Sequence, residues 1–389
     1  MMQSEIENNR KYNLVYLIDG LGWGGAERLM IPILSNIDRQ HFTTRVCVLQ
    51  DINGNPIAKE LRDLGITVDL LPVRYLRDFT ASTRIINYLR DVKADLLHAQ
   101  LEFSTVLGGI AAKWLGIPSV VTLHTLPSQE EGLKSRLHLA LENFMLRHFF
   151  DSIISVSKET QRFYKQTAKI PDKKSNVIYN GVDVTHYSTT LPNRSTTLKE
   201  LGIPSTATVI ITVAVLRELK GIQYMIRAMP SLSDAQPQIY YLVVGGGEYY
   251  EPLQDEVKKA GVHEKVVFTG ARKDIPALMT ASDLFVLPTL TEALPTVLAE
   301  AMALGLPILA SRVGGVPEMI QEDINGKLIE PADPQTLAAV CLEMLKDPQR
   351  LRQMGNAGRK IAEEKFNIKT QVQQLQNLYL RLIYKSAQH

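Results

Sequence analysis

The sequence predicts an α/β protein made of two doubly wound, Rossmann-like domains that face each other across a cleft. Short apolar runs rich in β-branched residues alternate with helical patterns almost throughout, as in buried parallel sheets. The alternation weakens once near the middle and then restarts, and 389 residues are enough for two domains. Such sheets bind ligands beyond the carboxyl ends of their strands, so a site is expected between the two sheets.

Seven strands are predicted in the first half and five in the second. The first seven are 13–18, 45–49, 67–71, 95–98, 119–123, 152–156 and 176–179. The later five are 208–213, 239–244, 266–268, 284–287 and 307–310. The stretch from Ala26 to Ile37 shows the amphipathic pattern of the intervening helices, and the pattern beyond about Gln335 is nearly all helical.

A polar stretch from His186 to Arg194 predicts the linker between the domains, because Ser, Thr, Pro and Asn replace the apolar periodicity. We therefore expect one domain at 1–186 and a second at 187–368. Residues 369–389 are expected to form a C-terminal helix that packs back on the first domain. The polar, acidic residues 1–10 have neither the basic start nor the apolar stretch of a signal peptide.

Bulk composition argues against several classes of protein. A formal net charge of +2 gives no support for a nucleic-acid partner. No apolar run reaches the ~18–20 residues that span a bilayer. The only two cysteines, Cys47 and Cys341, lie in apolar contexts, which predicts buried free thiols and a cytoplasmic location.

Two glutamates, Glu292 and Glu300, lie on either side of Pro295. Proline suits the first position of a helix, so Glu292 is expected in the preceding loop and Glu300 more than a turn inside the helix. The N–H groups of a helix N-terminus favour phosphate. The stretch is therefore suited to an elongated ligand with hydroxyls at both ends and phosphate between them, such as a nucleotide sugar.

The first predicted strand runs into a glycine-rich loop. Gly20, Gly22 and Gly25 satisfy G-x-G-x-x-G between a strand and a helix, which is formally the dinucleotide fingerprint. That fingerprint also needs an acidic residue at the end of the second strand, and neither Asp38 nor Asp51 falls there. We favour a loop whose backbone approaches a ligand in the cleft, with a dinucleotide site and a merely tight turn as the alternatives.

Polar residues follow several other predicted strands. His124 and His98 are expected at the cleft rim, and His124 is the stronger functional candidate. Arg217 and Lys220 follow the first strand of the second domain, where they would stabilise a diphosphate. Glycine turns at 245–247 and 314–315 are weaker candidates for phosphate contact. No D-x-D pair or other metal-binding motif occurs, so neither a metal nor a cofactor is expected.

Taken in order along the chain, these pieces resemble glycosyltransferase family 4, whose members are retaining, nucleotide-sugar-dependent enzymes of GT-B fold. The resemblance covers nearly the whole length, from Gly24-Gly25-Ala26-Glu27-Arg28 to the last helices. Its most specific piece is the stretch from Glu292 to Glu300, which looks like the family's E-x7-E motif. Further matching pieces are 179–183, 268–270, 281–288 and 314–318.

The resemblance implies a role for each candidate. Glu292 would face the donor sugar and Glu300 the ribose, while Lys220 would contact the diphosphate. His124 would lie near the sugar and the acceptor, and Arg272 near the base. The implied catalytic residues are His124, Lys220 and Glu292. The implied donor-binding residues are Gly24, Gly25, Arg217, Lys220, Gly246, Arg272, Glu292, Leu294, Pro295, Thr296 and Glu300.

One departure from the family pattern concerns the diphosphate site. The family often carries Gly-Arg five residues before the lysine, and Ala214-Val215 stand there in this sequence. Arg217, two residues later, is the candidate to replace the missing arginine.

The resemblance also implies a reaction and partners. The expected reaction is metal-independent transfer of a hexose from a nucleotide sugar, for which UDP is the favoured nucleotide. The transfer is expected to take place on the front face, with retention of configuration. The acceptor would be a glycan, a lipid-linked molecule or a small molecule, in polysaccharide biosynthesis. A nucleotide-sugar 2-epimerase, an NAD(P)-dependent oxidoreductase and a noncatalytic sugar-binding protein are the alternatives. The basic amphipathic stretch from Leu133 to Phe150 is either an ordinary packing helix or a peripheral contact with the inner membrane face.

Overall fold

The computed structural model describes residues 10–22, 24–50, 55–73, 75, 78–126, 133–185 and 193–388. The chain divides into two compact units. The first comprises Met1–Asn180 and Ile368–His389, and the second comprises Gly181–Asn367. The predicted linker lies outside the described residues except for Asn193 and Arg194, as do the predicted N-terminal tail up to residue 9 and Trp23 of the glycine loop.

The first unit is built on a parallel sheet of seven strands. They are β1 (Tyr12–Ile18), β2 (Phe42–Val48), β3 (Thr67–Leu70), β4 (Leu96–Gln100), β5 (Ser119–Leu123), β6 (Ser152–Ser155) and β7 (Ser175–Val177). Its helices are α1 (Gly25–Asn36), α2 (Pro56–Asp63), α3 (Phe79–Asp91), α4 (Glu102–Leu115), α5 (Leu133–Phe149) and α6 (Lys158–Thr167). The strand order is β3-β2-β1-β4-β5-β6-β7. Every residue of β4, β5 and β6 is buried, as expected for strands covered on both faces.

The second unit is built on a parallel sheet of six strands. They are β8 (Thr208–Val213), β9 (Ile239–Val244), β10 (Val266–Gly270), β11 (Leu284–Leu287), β12 (Ile308–Ser311) and β13 (Gly326–Ile329). Its helices are α7 (Arg194–Glu200), α8 (Ile222–Ala235), α9 (Tyr250–Ala260), α10 (Ile275–Thr280), α11 (Thr296–Ala303), α12 (Pro334–Leu345) and α13 (Pro348–Lys365). The strand order is β10-β9-β8-β11-β12-β13. The predicted α/β class with two Rossmann-like domains is confirmed.

Strand order reverses direction once in each sheet. Consecutive strands run outward from β1 to β3, and the chain then returns to place β4 on the other side of β1. The same reversal sets β11 beside β8 in the second unit. The loops that leave the carboxyl ends of such a strand pair diverge to opposite faces of the sheet, which opens a crevice for a ligand.

The last helix, α14 (Ile368–Ala387), packs in the core of the first unit. Its residues Val372, Leu375 and Tyr379 are almost fully buried. The Tyr379 hydroxyl lies 2.7 Å from the hydroxyl of Tyr16 on β1 and 2.7 Å from Nδ1 of His98 on β4. The helix is therefore joined to the sheet by both apolar packing and buried hydrogen bonds.

We predict that the first unit loses stability as the pH falls below about 6.5, the ordinary histidine pKa. Burial lowers the pKa of His98 to about 3 and the pKa of His124 to about 4. The unfolded chain thus binds more protons than the folded one between these values, so the contribution of both imidazoles is complete above about pH 6.5 and is lost as the pH falls. NMR titration of the imidazoles and denaturant unfolding at each pH measure both effects.

The matched variant for this prediction is His98→Gln/His124→Gln, whose unfolding free energy should depend less on pH over the same range. An imidazole that titrates near its ordinary pKa in the folded protein would contradict it.

A second prediction concerns Gly221, which ends a 3-10 turn at Glu218–Lys220 with a φ of 68°. A Cβ at this position would lie 1.8 Å from the carbonyl oxygen of Pro288. Gly202 has a similar φ of 70° but open space around it, so Gly202→Ala isolates the backbone strain. We expect Gly202→Ala to cost about 1 kcal/mol and Gly221→Ala about 3 kcal/mol, because the contact with Pro288 adds overpacking.

Calorimetric melting of the two variants measures the difference, at about 2–4 °C per kcal/mol for a unit of this size. Equal shifts in Tm would show that the loop after β11 moves away from the added Cβ without a loss of stability.

Candidate active site

Lys220 and Glu292 form an ion pair at the strand-order reversal of the second unit. Lys220 ends the turn that follows β8, and Glu292 lies in the loop that follows β11. The Lys220 Nζ donates to Glu292 Oε1 at 2.5 Å. Their side chains are 28% and 11% exposed, so the pair is largely shielded but still reachable by a ligand. The sequence predicted both residues in the site, and the structure adds their direct contact.

Backbone hydrogen bonds fasten the two loops to each other. The Leu219 carbonyl accepts from the Leu290 N–H at 2.8 Å and from the Thr289 hydroxyl at 3.0 Å. The Glu292 carbonyl accepts from the Gly315 N–H at 3.4 Å, which brings in the loop after β12. The ammonium and the carboxylate are thus held by a rigid backbone frame rather than by their own attraction alone.

Helix α11 starts beside this pair. Pro295 was predicted to be its first residue, and this is wrong by one position. Pro295 has an extended ψ of 112° and is the N-cap, so the helix begins at Thr296. The N-cap residue Pro295 makes no side-chain hydrogen bond to the N–H groups of the helix, and Glu300 lies in the second turn, half-buried. Leu294 and Pro295, the last two residues of the loop, are buried.

The glycine turn after β9 packs against the turn after β8. A Cβ at Gly245 would lie 1.9 Å from the Ala214 carbonyl oxygen, and one at Gly247 would lie 2.3 Å from that of Leu216. These two glycines therefore allow close backbone packing. A Cβ at Gly246 would meet nothing within 4 Å, so Gly246 is the member of the turn with open space beside it.

Two arginines were predicted to contact the donor. Arg217 is exposed, as is Val215, and the buried Leu216 stands between them. Arg272 makes two hydrogen bonds to Asp274, from Nε at 2.8 Å and from a terminal nitrogen at 2.6 Å. These bonds lower the pKa of the Asp274 carboxyl and fix the orientation of the guanidinium plane.

In the first unit, the loop after β1 leads directly into α1. Gly24 is the N-cap of this helix and Gly25 is its first residue. Asp19, at the end of β1, accepts the backbone N–H groups of Phe103 at 2.8 Å and Ser104 at 2.7 Å. Burial raises the pKa of Asp19, against the effect of those hydrogen bonds. Asp19 thereby caps α4 and joins the ends of β1 and β4, the strands on either side of the reversal.

A buried chain of polar side chains leads from α14 to His124. His124 Nε2 lies 2.6 Å from Gln100 Oε1, and the Gln100 amide nitrogen lies 3.5 Å from His98 Nε2. His98 Nε2 also lies 2.7 Å from the Thr122 hydroxyl, and Nδ1 contacts Tyr379. His98 was predicted at the rim, and this is wrong. It lies inside β4 and is 1% exposed.

The protonation of the His124 imidazole follows from its contact with Gln100 and from its burial. Gln100 Oε1 can only accept, so Nε2 of His124 carries the hydrogen and Nδ1 is left as an acceptor. Burial lowers the pKa of His124 to about 4, so this ring is neutral at pH 7. His124 therefore presents a neutral hydrogen-bond acceptor just beyond the end of β5.

Sequence reasoning missed Gln100 and its neighbour Leu101. Gln100 follows His98 by two residues on the same strand, so both side chains point to one face, and that spacing was the available signal. Leu101 begins the turn into α4 with φ 74° and ψ −169°, a region that β-carbon-bearing residues rarely adopt. The backbone strain directly follows the residue that orients His124, as is common at functional sites.

Within the described ranges, no group of three or more His, Cys, Asp or Glu side chains is arranged to hold a metal ion. No helix in that part of the chain is long and apolar enough to cross a membrane.

Comparison with known proteins follows the same division of the chain. Residues 23–186 match the model of Glycosyltransferase Family 4, and residues 193–361 match that of Glycosyl transferases group 1. The chain is 26% identical over 373 residues to the UDP-Gal:alpha-D-GlcNAc-diphosphoundecaprenol alpha-1,3-galactosyltransferase of Escherichia coli, over 91% of this chain and 96% of that protein. It is 27% identical over 310 residues to the N-acetyl-alpha-D-glucosaminyl L-malate synthase of Bacillus anthracis, over 78% of each.

A solved structure shares the fold. Anabaena Alr3699/HepE in complex with UDP superimposes with a TM-score of 0.84 at 26% identity, over 94% of this chain and 99% of that one. The chain is a glycosyltransferase of the family 4 type, and it is a nucleotide-sugar-dependent hexosyltransferase of GT-B fold.

Proposed function

We propose that this protein transfers a hexose from a UDP-sugar to a hydroxyl of a glycan or lipid-linked acceptor, with retention of configuration and without a metal ion. The Lys220–Glu292 pair beside the start of α11 is the observation that carries the proposal. The name of the E. coli relative specifies UDP-Gal and a lipid-linked acceptor, and the Anabaena structure holds UDP. Both relatives favour uridine as the base.

The leaving diphosphate needs positive charge as the bond to the sugar breaks. The Lys220 ammonium and the N–H groups at the start of α11 supply it from two directions, in place of a metal. In front-face transfer, the acceptor hydroxyl oxygen bonds to the anomeric carbon on the face that the diphosphate leaves. Its proton passes to the departing phosphate oxygen, so UDP is released and the configuration is kept.

Arg217 is suited to replace the family arginine missing at Val215. Side chains alternate along extended backbone, and Arg217 has an extended φ of −130° and ψ of 152°. Val215 and Arg217 are exposed while Leu216 is buried, so the two outer side chains share the solvent side. The long arginine side chain spans the two-residue offset, which brings its guanidinium toward the same diphosphate.

The remaining donor contacts follow from positions around this centre. Glu292 would accept hydrogen bonds from the sugar hydroxyls, and Glu300, one turn into α11, from the ribose hydroxyls. Gly246 and Thr296 would border the phosphates, and Gly24 and Gly25 would approach the donor by their backbone. Arg272, held flat by Asp274, would stack on the base.

His124 would act on the sugar and acceptor as a neutral group. Its Nδ1 accepts a hydrogen bond from a hydroxyl, which orients that hydroxyl without adding positive charge. Gln100 fixes the ring through Nε2, which leaves Nδ1 to accept a hydrogen bond from the substrate.

The first unit also exposes apolar side chains suited to a lipid-linked acceptor at the inner, cytoplasmic membrane face. Trp114 on α4 is 77% exposed, and Phe144 on α5 is 53% exposed. Arg147 and His148 follow in the last turn of α5. A helix with exposed aromatic and basic side chains favours peripheral contact with an anionic bilayer.

We predict that Lys220→Ala lowers kcat by about 10²–10³-fold, because a preorganised donor to the leaving charge is lost. The measurement is release of UDP and formation of product at saturating donor. Lys199→Ala, which removes an exposed lysine on α7 of the same unit, is the control and should leave kcat unchanged.

A double variant separates catalysis from mere charge balance. If Lys220 served only to neutralise Glu292, Lys220→Met/Glu292→Gln would be as active as Glu292→Gln alone, which already lacks the carboxylate proposed to bind the sugar. We expect the stability to recover and the activity to stay low. Recovery of activity to the level of Glu292→Gln would contradict the leaving-group role of Lys220.

A second prediction assigns Glu300 to the ribose. Wild-type protein should bind UDP about 10–100-fold more tightly than 2′-deoxy-UDP, the value of a hydrogen bond to a charged group. In Glu300→Ala this preference should vanish, whereas Glu251→Ala on α9 should retain it. Calorimetric titration measures the affinities of all three proteins for both nucleotides, and a Glu300→Ala protein that still prefers UDP would refute the assignment.

A further inference from the structure

A second concave site lies at the opposite edge of the first-unit sheet. A pocket of about 720 Å³ opens at the amino ends of β5, β6 and β7, whereas the candidate active-site residues lie at the carboxyl ends. The end of α4 forms one wall and α14 forms the other. The polar floor is formed by Ser119, Ser152 and Asn176. All of its lining residues belong to the first unit.

Five cationic side chains surround this pocket, and they come from three distant parts of the sequence. They are Lys113 of α4, Lys173 and Lys174 of the turn before β7, and Arg381 and Lys385 of α14. Asp151 is the one carboxylate in the lining. The whole chain has a net charge of only +2, so the concentration of charge here is local.

Most of these cations have no counter-charge in the protein. Among the residues that the structure describes, Lys113, Lys173, Arg381 and Lys385 form no ion pair within 4 Å and no side-chain hydrogen bond. Asp151 is already engaged by the backbone N–H of Ser119 at 3.0 Å and by its hydroxyl at 3.2 Å. An anion of suitable size would therefore meet several uncompensated donors at once.

At the inner end of the pocket, the neighbouring positive charges affect Lys174. Lys174 is half-buried and donates to the carbonyls of Phe150 at 2.6 Å and Arg147 at 3.1 Å. Burial, with repulsion from Lys113 and Lys173, lowers the pKa of its ammonium. The contact with carbonyls at the end of α5 explains Lys174 but not the four exposed cations. The four exposed cations line one cavity, which indicates an anionic ligand.

We propose that this basic pocket binds the phosphate group of an organic phosphate. Lysine and arginine donors spaced around a cavity with a hydroxyl-lined floor match several phosphate oxygens. The volume exceeds that of a bare phosphate and accommodates a glycerol-sized or sugar-sized substituent. Such a phosphate is supplied either by an anionic lipid headgroup or by a soluble phosphate ester. The indole of Trp114 is exposed and directly follows Lys113 on α4.

Trp114 also provides the local readout. The chain contains two tryptophans, so Trp23→Phe leaves Trp114 as the sole indole. Its emission is followed in the full chain with saturating UDP, which occupies the donor site and removes it as a competing phosphate site. One arm titrates sn-glycerol 3-phosphate. The other titrates phosphatidylcholine vesicles with and without phosphatidylglycerol.

Two double variants with the same change in charge test the assignment. Lys113→Gln/Arg381→Gln removes two pocket cations, and Lys59→Gln/Arg90→Gln removes two exposed cations of α2 and α3 in the same unit. We expect the pocket variant to weaken binding at least about tenfold and the control variant to change it less than about twofold, because exposed distant charges are screened. All four positions are exposed, so both variants should fold as the parent does.

The two arms distinguish the sources of phosphate. A response to glycerol 3-phosphate in solution supports a soluble ester, and a response only to vesicles with phosphatidylglycerol supports a lipid headgroup. The proposal is overturned if neither probe binds, or if both double variants weaken binding equally, which would indicate general charge attraction. Loss of binding here with intact transferase activity leaves the proposed reaction unaffected.

Discussion

The adjacency of β8 and β11 is the constraint on which the candidate active site depends. Because strand order reverses there, the helices that follow the two strands lie on opposite faces of the sheet. The loops at the ends of β8 and β11 can therefore approach each other. Lys220 and Glu292 are 72 residues apart and nevertheless touch at 2.5 Å. The Leu219 carbonyl fastens both loops, and Gly221 allows the approach of Pro288 that a side chain would prevent. The charge pair is thus a product of sheet topology and of one close backbone contact.

The first unit positions its candidate residue His124 by hydrogen bonds that begin at its own strand-order reversal. Its own reversal lies between β1 and β4, and Asp19 fixes the start of α4 across it. His98 and Gln100 then extend hydrogen bonds along the buried side of β4, from Tyr379 to His124. The C-terminal helix therefore contributes to the orientation of His124 as well as to the core. Deletion of this helix would remove both functions at once.

The strand pattern and most candidate residues could be predicted from the sequence because their signals are local. Apolar, β-branched runs mark buried strands, and a strand followed by Gly, Lys or Glu marks a loop at a carboxyl end. β13 was missed because it is a four-residue strand at the sheet edge that begins with Gly326 and Lys327. The Tyr379–His98 contact joins residues 281 positions apart, and no local pattern encodes it. The bond from Lys220 to Glu292 likewise depends on lateral strand order, which sequence order does not reveal.

Burial explains why the two units offer different chemistry. A protonated imidazole is unfavourable in the desolvated surroundings of His98 and His124, so both rings stay neutral and act as donors and acceptors. In the second unit an ammonium and a carboxylate are retained side by side because each offsets the other's desolvation. A carboxylate bonded to Lys220 is already engaged and is a poor choice for removing a proton from the acceptor. This division agrees with a reaction in which the proton passes to the departing phosphate, while the protein supplies position and positive charge.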